Sequence, residues 1–412
     1  MNPSITPKHE PCVVVGAGPV GLVAALALKR RGVDVLVVEA EPEDRQRPGS
    51  RALVLAFPTL RRLNAVLPGL GHAVSTAASG APLAGYDTFY EGKRVFHMGA
   101  PKLPIVNKFA ASLPQTVTEK LVYDAAVTHG VRFRWNSPVA AITTDADGAT
   151  ITLASSEQIR TPYVVAADGA RSAVRKALGI GMAGHTDATP FIIVDLDDHP
   201  EPSDPPAPGF FHYRSPELDG RNVLRIPFAG GIRIDLQCLP DDDAEHLASP
   251  DGLQEWLPNV VDPWHLDHVQ WVSTYRFHQV VADSYTDPHH RVLLAGEAAH
   301  LFAPFGARGL NSGVMDATDA AKAISGALAT RDQAVARRLI DRCAADRRQW
   351  GLRNRAVSNR ALQIMRGDDP GMRNRRTLAA RLAPAFWPAG AWLATGPLQI
   401  ALLPRLRPAG VY

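Results

Sequence analysis

Cysteine is scarce in this chain. Only Cys12, Cys238 and Cys343 occur in 412 residues, far apart and odd in number. No CxxC pair is present, so neither a disulfide framework nor a zinc site is expected, and a reducing cytoplasmic setting fits. Net charge is also small, at +3, which argues against nucleic acid as the main partner. A long uninterrupted apolar run is missing too. Cys12–Leu28 imitates a signal anchor, but its glycines divide it into strand, turn and helix. Residues 386–404 are broken by Pro388, Gly390, Gly396, Pro397 and Pro404, which suits a packed segment and not a membrane span. The first eleven residues are polar and carry no secretory signature.

What is present is an ordinary globular composition: 46% hydrophobic, 21% charged and 7% aromatic. That balance excludes disordered and fibrous classes, and 412 residues suffice for two domains. Charge is unevenly placed. Residues 351–412 hold ten arginines against Asp368 and Asp369, so this segment is about +8 and the remainder about −5. A solvated helical face is the leading reading, with an acidic partner or anionic membrane surface as the alternative.

Cys12–Val15 reads as a strand buried on both faces, Pro19–Arg31 as a helix stopped by Gly32, and Asp34–Val38 as a second buried strand. Such a β-α-β unit has the length of a right-handed crossover. Helices are expected over Phe57–Leu67 and over Thr116–His129, the latter with an apolar stripe of Val117, Leu121, Val122 and Ala125. Irregular strands are expected over 80–105, and a meander over 131–167 closing on Tyr163–Ala167. Phe191–Asp195, Phe210–Tyr213, Val223–Phe228, Ile232–Leu239 and Gln270–Phe277 alternate apolar and polar, which predicts an antiparallel sheet covered on one face. Pro200–Pro208 is a loop. Val292–Ala295 is another buried strand, followed by helices over 311–329 and 332–350. The fold class is therefore α/β with an α+β second domain. Residues 1–79, 106–185 and 287–350 form a Rossmann-type domain, and 80–105 with 186–286 form a mixed or antiparallel-sheet substrate domain. Residues 351–412 form a helical C-terminal segment.

Gly16-x-Gly18-x-x-Gly21 follows a strand and opens a helix with Pro19. It allows a tight turn, backbone approach to a pyrophosphate and close helix–strand packing. Glu39 closes the next strand, where a carboxylate can take a ribose hydroxyl. These features imply a dinucleotide without choosing between FAD and NAD. Two later segments follow the same strand-to-helix logic: Ala167-Asp168-Gly169-Ala170-Arg171-Ser172-Ala173-Val174-Arg175, and the run from Leu294 through Gly296-Glu297-Ala298-Ala299-His300, Pro304, Gly306 and Arg308 to Gly309-Leu310-Asn311-Ser312-Gly313.

Together the three segments resemble the fingerprints of single-component (group A) flavoprotein aromatic hydroxylases, the p-hydroxybenzoate hydroxylase type. The resemblance spans roughly residues 10–350. Arg51 is similar to the family arginine near the flavin, and Gln115, with Glu119 and Leu121, to the family's Gln…Glu…Leu pattern. The resemblance implies non-covalent FAD, with NAD(P)H as a transient co-substrate. It also implies transfer of one oxygen of O2, through a flavin C4a-hydroperoxide, to an aromatic or polyketide-like substrate. Residues implied to hold FAD are Gly16, Gly18, Pro19, Gly21, Glu39, Arg51, Gln115, Asp168, Gly169, Gly296, Glu297, Pro304, Gly309, Leu310 and Asn311. Arg171, Ser172 and Arg175 are candidates for the nicotinamide phosphates. Glu297 departs from the family's aspartate, reaching one methylene further toward the ribityl chain. Arg308 departs from a neutral residue and faces either a substrate acid group or solvent.

Leaving the name aside, a helix opening near Leu310-Asn311 would aim its positive end at the anionic edge of reduced flavin. His300 reads as structural, and His289-His290 as solvated. For a phenol-activating base or relay the candidates are Tyr86, His97, His212, Tyr213, Arg225 and His278, with His212, Tyr213 and Arg225 preferred as catalytic residues. Other chemistries on this fold are Baeyer–Villiger oxidation, epoxidation, halogenation, C=C reduction, or flavin sensing without catalysis. No Trp-x-Trp-x-Ile-Pro motif is present to support a tryptophan-type halogenase. No metal is expected, nor any nucleic-acid partner. The chain is expected to be a monomer or a homodimer.

Overall fold

The computed structural model describes residues 7–46, 49, 53–78, 85–99, 110–201 and 208–397. Arg51, most of the 200–208 loop and the last two arginines of the basic segment, Arg405 and Arg407, lie outside them.

A five-stranded parallel sheet forms the first layer system. Its spatial order is Val292–Leu294, Val164–Ala166, Val13–Val15, Leu36–Val38 and Arg132–Arg134. Four of the five strands, all but Arg132–Arg134, are β-branched or aliphatic and fully buried, as in a sheet covered on both faces. Helix Pro19–Lys29 is buried from Gly21 to Leu28, packed against the sheet and against helix Arg308–Ala329. The expected β-α-β unit is therefore present. Helix Gln115–Thr128 is present as well, but it buries Thr118, Val122 and Ala126, and Val117 is exposed. The stripe is i, i+4, i+8 and includes a threonine, which a search for apolar residues overlooks. The 131–167 region is not one meander. Arg132–Arg134 joins the parallel sheet, and Val139–Asp145, Gly148–Leu153 and Gln158–Thr161 form a separate antiparallel sheet edged by Lys8–His9.

A seven-stranded sheet forms the second layer system. Its order is Val269–Tyr275, Phe191–Asp197, Gly231–Gln237, Arg221–Phe228, Gly209–Ser215, Gly85–Tyr90 and Lys93–Gly99. All pairs are antiparallel except Gly209–Ser215 with Gly85–Tyr90, which is parallel. The sheet is covered on both faces, not one. Ile192, Val194, Val223, Ile232, Ile234 and Leu236 pack under the short helices of 244–267. Phe191, Phe211, Tyr213 and Leu224 occupy the opposite face and meet Phe305 and the C-terminal helices. Each face buries its own alternate residues, so strand Gly231–Gln237 is buried at every position.

Helix Gln333–Arg366 runs 34 residues without a break at 350. It ties the two layer systems together: Asn354 Nδ2 donates to Ser312 Oγ at 3.2 Å, Ser358 Oγ to the Ala303 carbonyl at 3.0 Å, and Asn222 Nδ2 to the Met365 carbonyl at 2.8 Å. The basic segment is only partly a solvated face. Arg376 is buried beneath Gly367 and donates to the Met365 carbonyl, and Arg366 pairs with Asp187 and Asp368. Among the described residues no helix is long and apolar enough to cross a membrane.

Candidate flavin site

The glycine loop is shaped by backbone. Gly16 has φ +99°, and a Cβ there would stand 2.4 Å from the Ala167 carbonyl oxygen. A Cβ on Gly21 would stand 1.9 Å from the Gly16 oxygen, so helix and strand meet only because neither residue has a side chain. Gly18 is the N-cap and Pro19 the first helical residue, and no side chain caps the first-turn N–H groups. Such an uncapped N-terminus suits an anion. Glu39 is buried beside it. Its Oε2 accepts the Ala17 N–H at 2.6 Å and its Oε1 the Glu41 N–H at 3.0 Å, which fixes the carboxylate and leaves lone pairs for a ribose. Arg45 was not legible in the sequence. It donates to the Ala17 carbonyl and to Glu119 Oε1, both at 2.7 Å, and lies over the Trp135 ring. Glu119, flagged through the Gln115 pattern, is thus an anchor of the loop, while Gln115 opens its helix half-buried.

Asp168 is spent locally: its Oδ1 accepts from Ser172 Oγ at 2.6 Å and its Oδ2 from the Val174 N–H at 3.1 Å. Ser172 in turn caps helix Ala173–Ala177. Arg175 is buried and donates to the Ala298 carbonyl at 3.1 Å, bolting the middle segment to the Gly296–Ala298 turn. Ser172 and Arg175 are therefore internal braces, not phosphate contacts. Arg171 stays exposed, and Gly169, at φ +75°, has open space over it.

The third segment ends in a loop whose geometry is left-handed at Gly306 (φ +80°) and Ala307 (φ +52°). Helix Arg308–Ala329 begins there, three residues before the expected start, and its N-terminus also lacks a side-chain cap. Gly309 is open above its Cα, and Pro304 and Glu297 are exposed. Leu310 packs on the main core. A Cβ on Gly313 would come 2.5 Å from Val20 Cγ2, and one on Gly296 3.0 Å, so the glycines let this helix close on the first. Asn311 has its side chain fully committed. Its Oδ1 accepts from the Ala56 N–H (2.9 Å) and Thr59 Oγ (2.5 Å), and its Nδ2 donates to the Val54 (2.8 Å) and Ala307 (2.6 Å) carbonyls. Only its main chain remains for a ligand. Arg308 is buried and engaged, not solvent-facing.

His300 is structural, as expected. Its Nε2 lies 2.7 Å from Asp316 Oδ2, which also accepts the Gly296 N–H at 3.1 Å, and Asp316 Oδ1 accepts from Arg347 Nε at 2.7 Å. Burial pushes the Asp316 carboxyl up, but Arg347 and His300 outweigh burial and hold it below its ordinary value.

Of the preferred catalytic residues, none is placed to act. His212 and Arg225 lie on the sheet face turned away from Phe305: His212 Nε2 accepts the Gly92 N–H at 3.0 Å, and Arg225 stands in register with Ile234 of the other core. Tyr213 is on the correct face, but it is wholly buried and its hydroxyl donates to the Leu393 carbonyl at 2.9 Å. His97 pairs with Asp87 at 2.7 Å, and His278 with Thr186 at 2.8 Å. His290 pairs with Asp341, and among the described residues no His, Cys, Asp and Glu group suits a metal ion.

A polar group on the sheet face that meets Phe305 escaped the sequence reading. Asp195, Arg233 and Asp235 are all buried there. Arg233 grips Asp195 with two bonds, Nε to Oδ1 at 2.9 Å and Nη2 to Oδ2 at 3.2 Å. Asp235 Oδ1 is buried and has no hydrogen-bond partner. Burial pushes its carboxyl up to about 6, opposed by Arg233 and reinforced by Asp195. On the same face Phe305, from the glycine-rich loop, packs against Phe191 (5.5 Å between centroids) and Phe277 (5.3 Å).

The comparisons with known proteins agree with this frame. Para-nitrophenol 4-monooxygenase of Pseudomonas sp. (strain WBC-3) is 29% identical over 386 residues, 88% of this chain and 89% of that protein. Rifampicin monooxygenase of Streptomyces venezuelae is 26% identical over 308 residues, 74% of this chain. The chain spans only 62% of that relative's length. The crystal structure of p-nitrophenol 4-monooxygenase from Pseudomonas putida matches with TM-score 0.75 at 26% identity, covering 94% of this chain and 97% of that one. The family model described as FAD binding domain matches residues 10–356. The chain therefore belongs to the FAD-binding-domain family, that of the group A flavoprotein aromatic hydroxylases, and FAD is its cofactor.

Proposed function

We propose that this chain is a monooxygenase that uses NAD(P)H and O2 to hydroxylate an aromatic or polyketide-like small molecule. One observation carries the reading. The loop before helix Arg308–Ala329 stands between the dinucleotide frame and an aromatic, polar-studded sheet face, with Phe305 seated on Phe191 and Phe277. The printed names of the relatives, monooxygenases of a nitrophenol and of rifampicin, support the same class.

Gly16, Gly18, Pro19 and Gly21 would hold the pyrophosphate and Glu39 the adenosine ribose, with Arg51 and Gln115 nearer the flavin. Asp168, Gly169, Gly296 and Glu297 would border the ribityl chain. Pro304, Gly309, Leu310 and Asn311 would meet the flavin ring, Asn311 through its backbone. Bound FAD supplies the redox chemistry, taking a hydride equivalent from the nicotinamide and activating O2. The uncapped N–H groups at Arg308–Leu310 would favour negative charge on a flavin edge held against them. Phe191, Phe277 and Phe305 would exclude water from the side of the bound cofactor that they face. Arg171, exposed beside the middle turn, is the remaining candidate for the nicotinamide phosphates. The three free thiols suit a cytoplasmic setting.

The test is turnover of the FAD-loaded protein with NADPH or NADH under 18O2 across a panel of phenols and polyphenols. One labelled oxygen per product molecule is expected. Coenzyme consumption without any oxygenated product, or substrate reduction that persists without oxygen, would overturn the proposal.

A further inference from the structure

Three strand-crossing rows of side chains face the flavin loop. The first, Tyr90 with Tyr213 and Gln237 with Phe191 and Tyr275, is sealed by the C-terminal helices: Tyr213 reaches the Leu393 carbonyl, and Asn222 joins Gln237 to the Met365 carbonyl. In the second row Thr88, Phe211, Leu224, Asp235, Ile193 and Ser273 stand in continuous register. The third places Ile226, Arg233, Asp195 and Trp271 side by side, and Gly49 lies against the Trp271 ring, where a Cβ would come within 2.5 Å. In-register neighbours share a face.

The polar atoms of the second and third rows do not balance internally. Arg233 is consumed by Asp195. Asp235 Oδ1 and, on strand Gly85–Tyr90, Tyr86 Oη and Thr88 Oγ are buried without partners. A buried polar atom without a partner is costly in a finished core. Three on one face, separated by Phe211 and Leu224, suit a ligand with an apolar body and polar ends. Among Asp195, Arg233 and Asp235 the charge count is two carboxylates to one guanidinium, so this part of the sheet carries net negative charge.

Resting on the monooxygenase reading, we propose that Asp235 determines specificity. Its carboxylate accepts the ring-bound O–H or N–H of an uncharged aromatic substrate, and the same wall turns away aromatics that carry an acid group. A phenol or arylamine supplies the missing donor. A carboxylate supplies none and meets Asp235 and Asp195 as like charges. Leu224 and Ile193 flank Asp235 and offer the ring an apolar bed.

The experiment is calorimetric titration of the FAD-loaded protein with 4-methylphenol, 4-methylaniline, 4-methylanisole and 4-methylbenzoate. The first two are expected to bind at least about tenfold more tightly than the last two, because a site built around a hydrogen bond rejects the analogue that cannot make it. In Asp235→Leu the advantage of 4-methylphenol over 4-methylanisole should fall to within about twofold, with anisole binding retained as evidence that the site still folds. Asp235→Asn, which keeps the shape, should fall between. Tighter binding of the benzoate, an undiminished phenol advantage in Asp235→Leu, or no binding of any probe overturns the inference. The readout needs no turnover. A failure to form oxygenated product with the phenol preference intact would therefore sink the monooxygenase reading and leave this one standing.

Discussion

Two buried aspartates stand on either side of the glycine-rich loop, and they behave in opposite ways. Asp316, on the helix that follows the loop, has both oxygens engaged by Arg347, His300 and the Gly296 N–H. Asp235, on the sheet, has an arginine next to it in the sheet, but that arginine is spent on Asp195, and its Oδ1 has no partner. Burial is nearly complete for both. The carboxyl is held below its ordinary value in the first and pushed up to about 6 in the second. Burial alone therefore does not say what a charged residue does. A carboxylate whose neighbours complete it is part of the fold, and one left incomplete is available to something else.

Breaking the completed side gives the largest expected effect. Asp316→Ala leaves His300 buried without its partner and Arg347 with only the longer contacts to Asp319 and Ser312, and should cost about 3–5 kcal/mol of stability. Denaturant unfolding of the FAD-loaded protein measures it, and a loss below about 1 kcal/mol contradicts a bracing role. The open side should show itself in pH dependence. A raised acid pKa means that the folded state holds the proton, so its stabilising effect is full below the unfolded value of 3.8 and is lost as pH rises through about 6. The stability of the native protein relative to Asp235→Asn should fall by about 2–3 kcal/mol between pH 4 and pH 7. Parallel curves would place Asp235 in an ordinary solvated environment. Asn311 extends the completed side, with four hydrogen bonds joining helix Arg308–Ala329 to Val54, Ala56 and Thr59. Asn311→Ala should cost about 2 kcal/mol and weaken FAD retention, read by flavin absorbance after gel filtration. The smallest effect is expected from Tyr213→Phe. It removes one bond to the Leu393 carbonyl and about 1 kcal/mol, with turnover on any accepted substrate unchanged. A large fall in kcat would return Tyr213 to the catalytic machinery.

The dinucleotide half was legible because its constraints are backbone constraints. Gly16 and Gly21 are demanded by carbonyl oxygens within 2.4 Å, and glycine is visible in a sequence. The strands around them are buried on both faces and so appear as unbroken apolar runs. The sheet half was legible only as strands. Period-two alternation shows that Arg233, Asp235 and Gln237 share a face, and it suggests water on that face. The loop carrying Phe305 and helix Gln333–Arg366 cover it instead, from more than sixty positions further along the chain. Nothing local to the strand encodes that cover. The same gap applies to His212, Tyr213 and Arg225, whose chemistry and strand are legible in the sequence while their face is not. Which face each one joins depends on register, and the register slips at a bulge between His212 and Ser215. Arg45 left no trace for a similar reason, since its partners Ala17 and Glu119 are 28 and 74 positions away.

Thermal unfolding of FAD-loaded Asp235→Leu without substrate tests the central contrast most directly. If the open carboxylate is kept for a ligand at the expense of the fold, the variant melts within about 2 °C of the native protein or above it. A fall of more than about 5 °C would make Asp235 a brace like Asp316 and contradict the account.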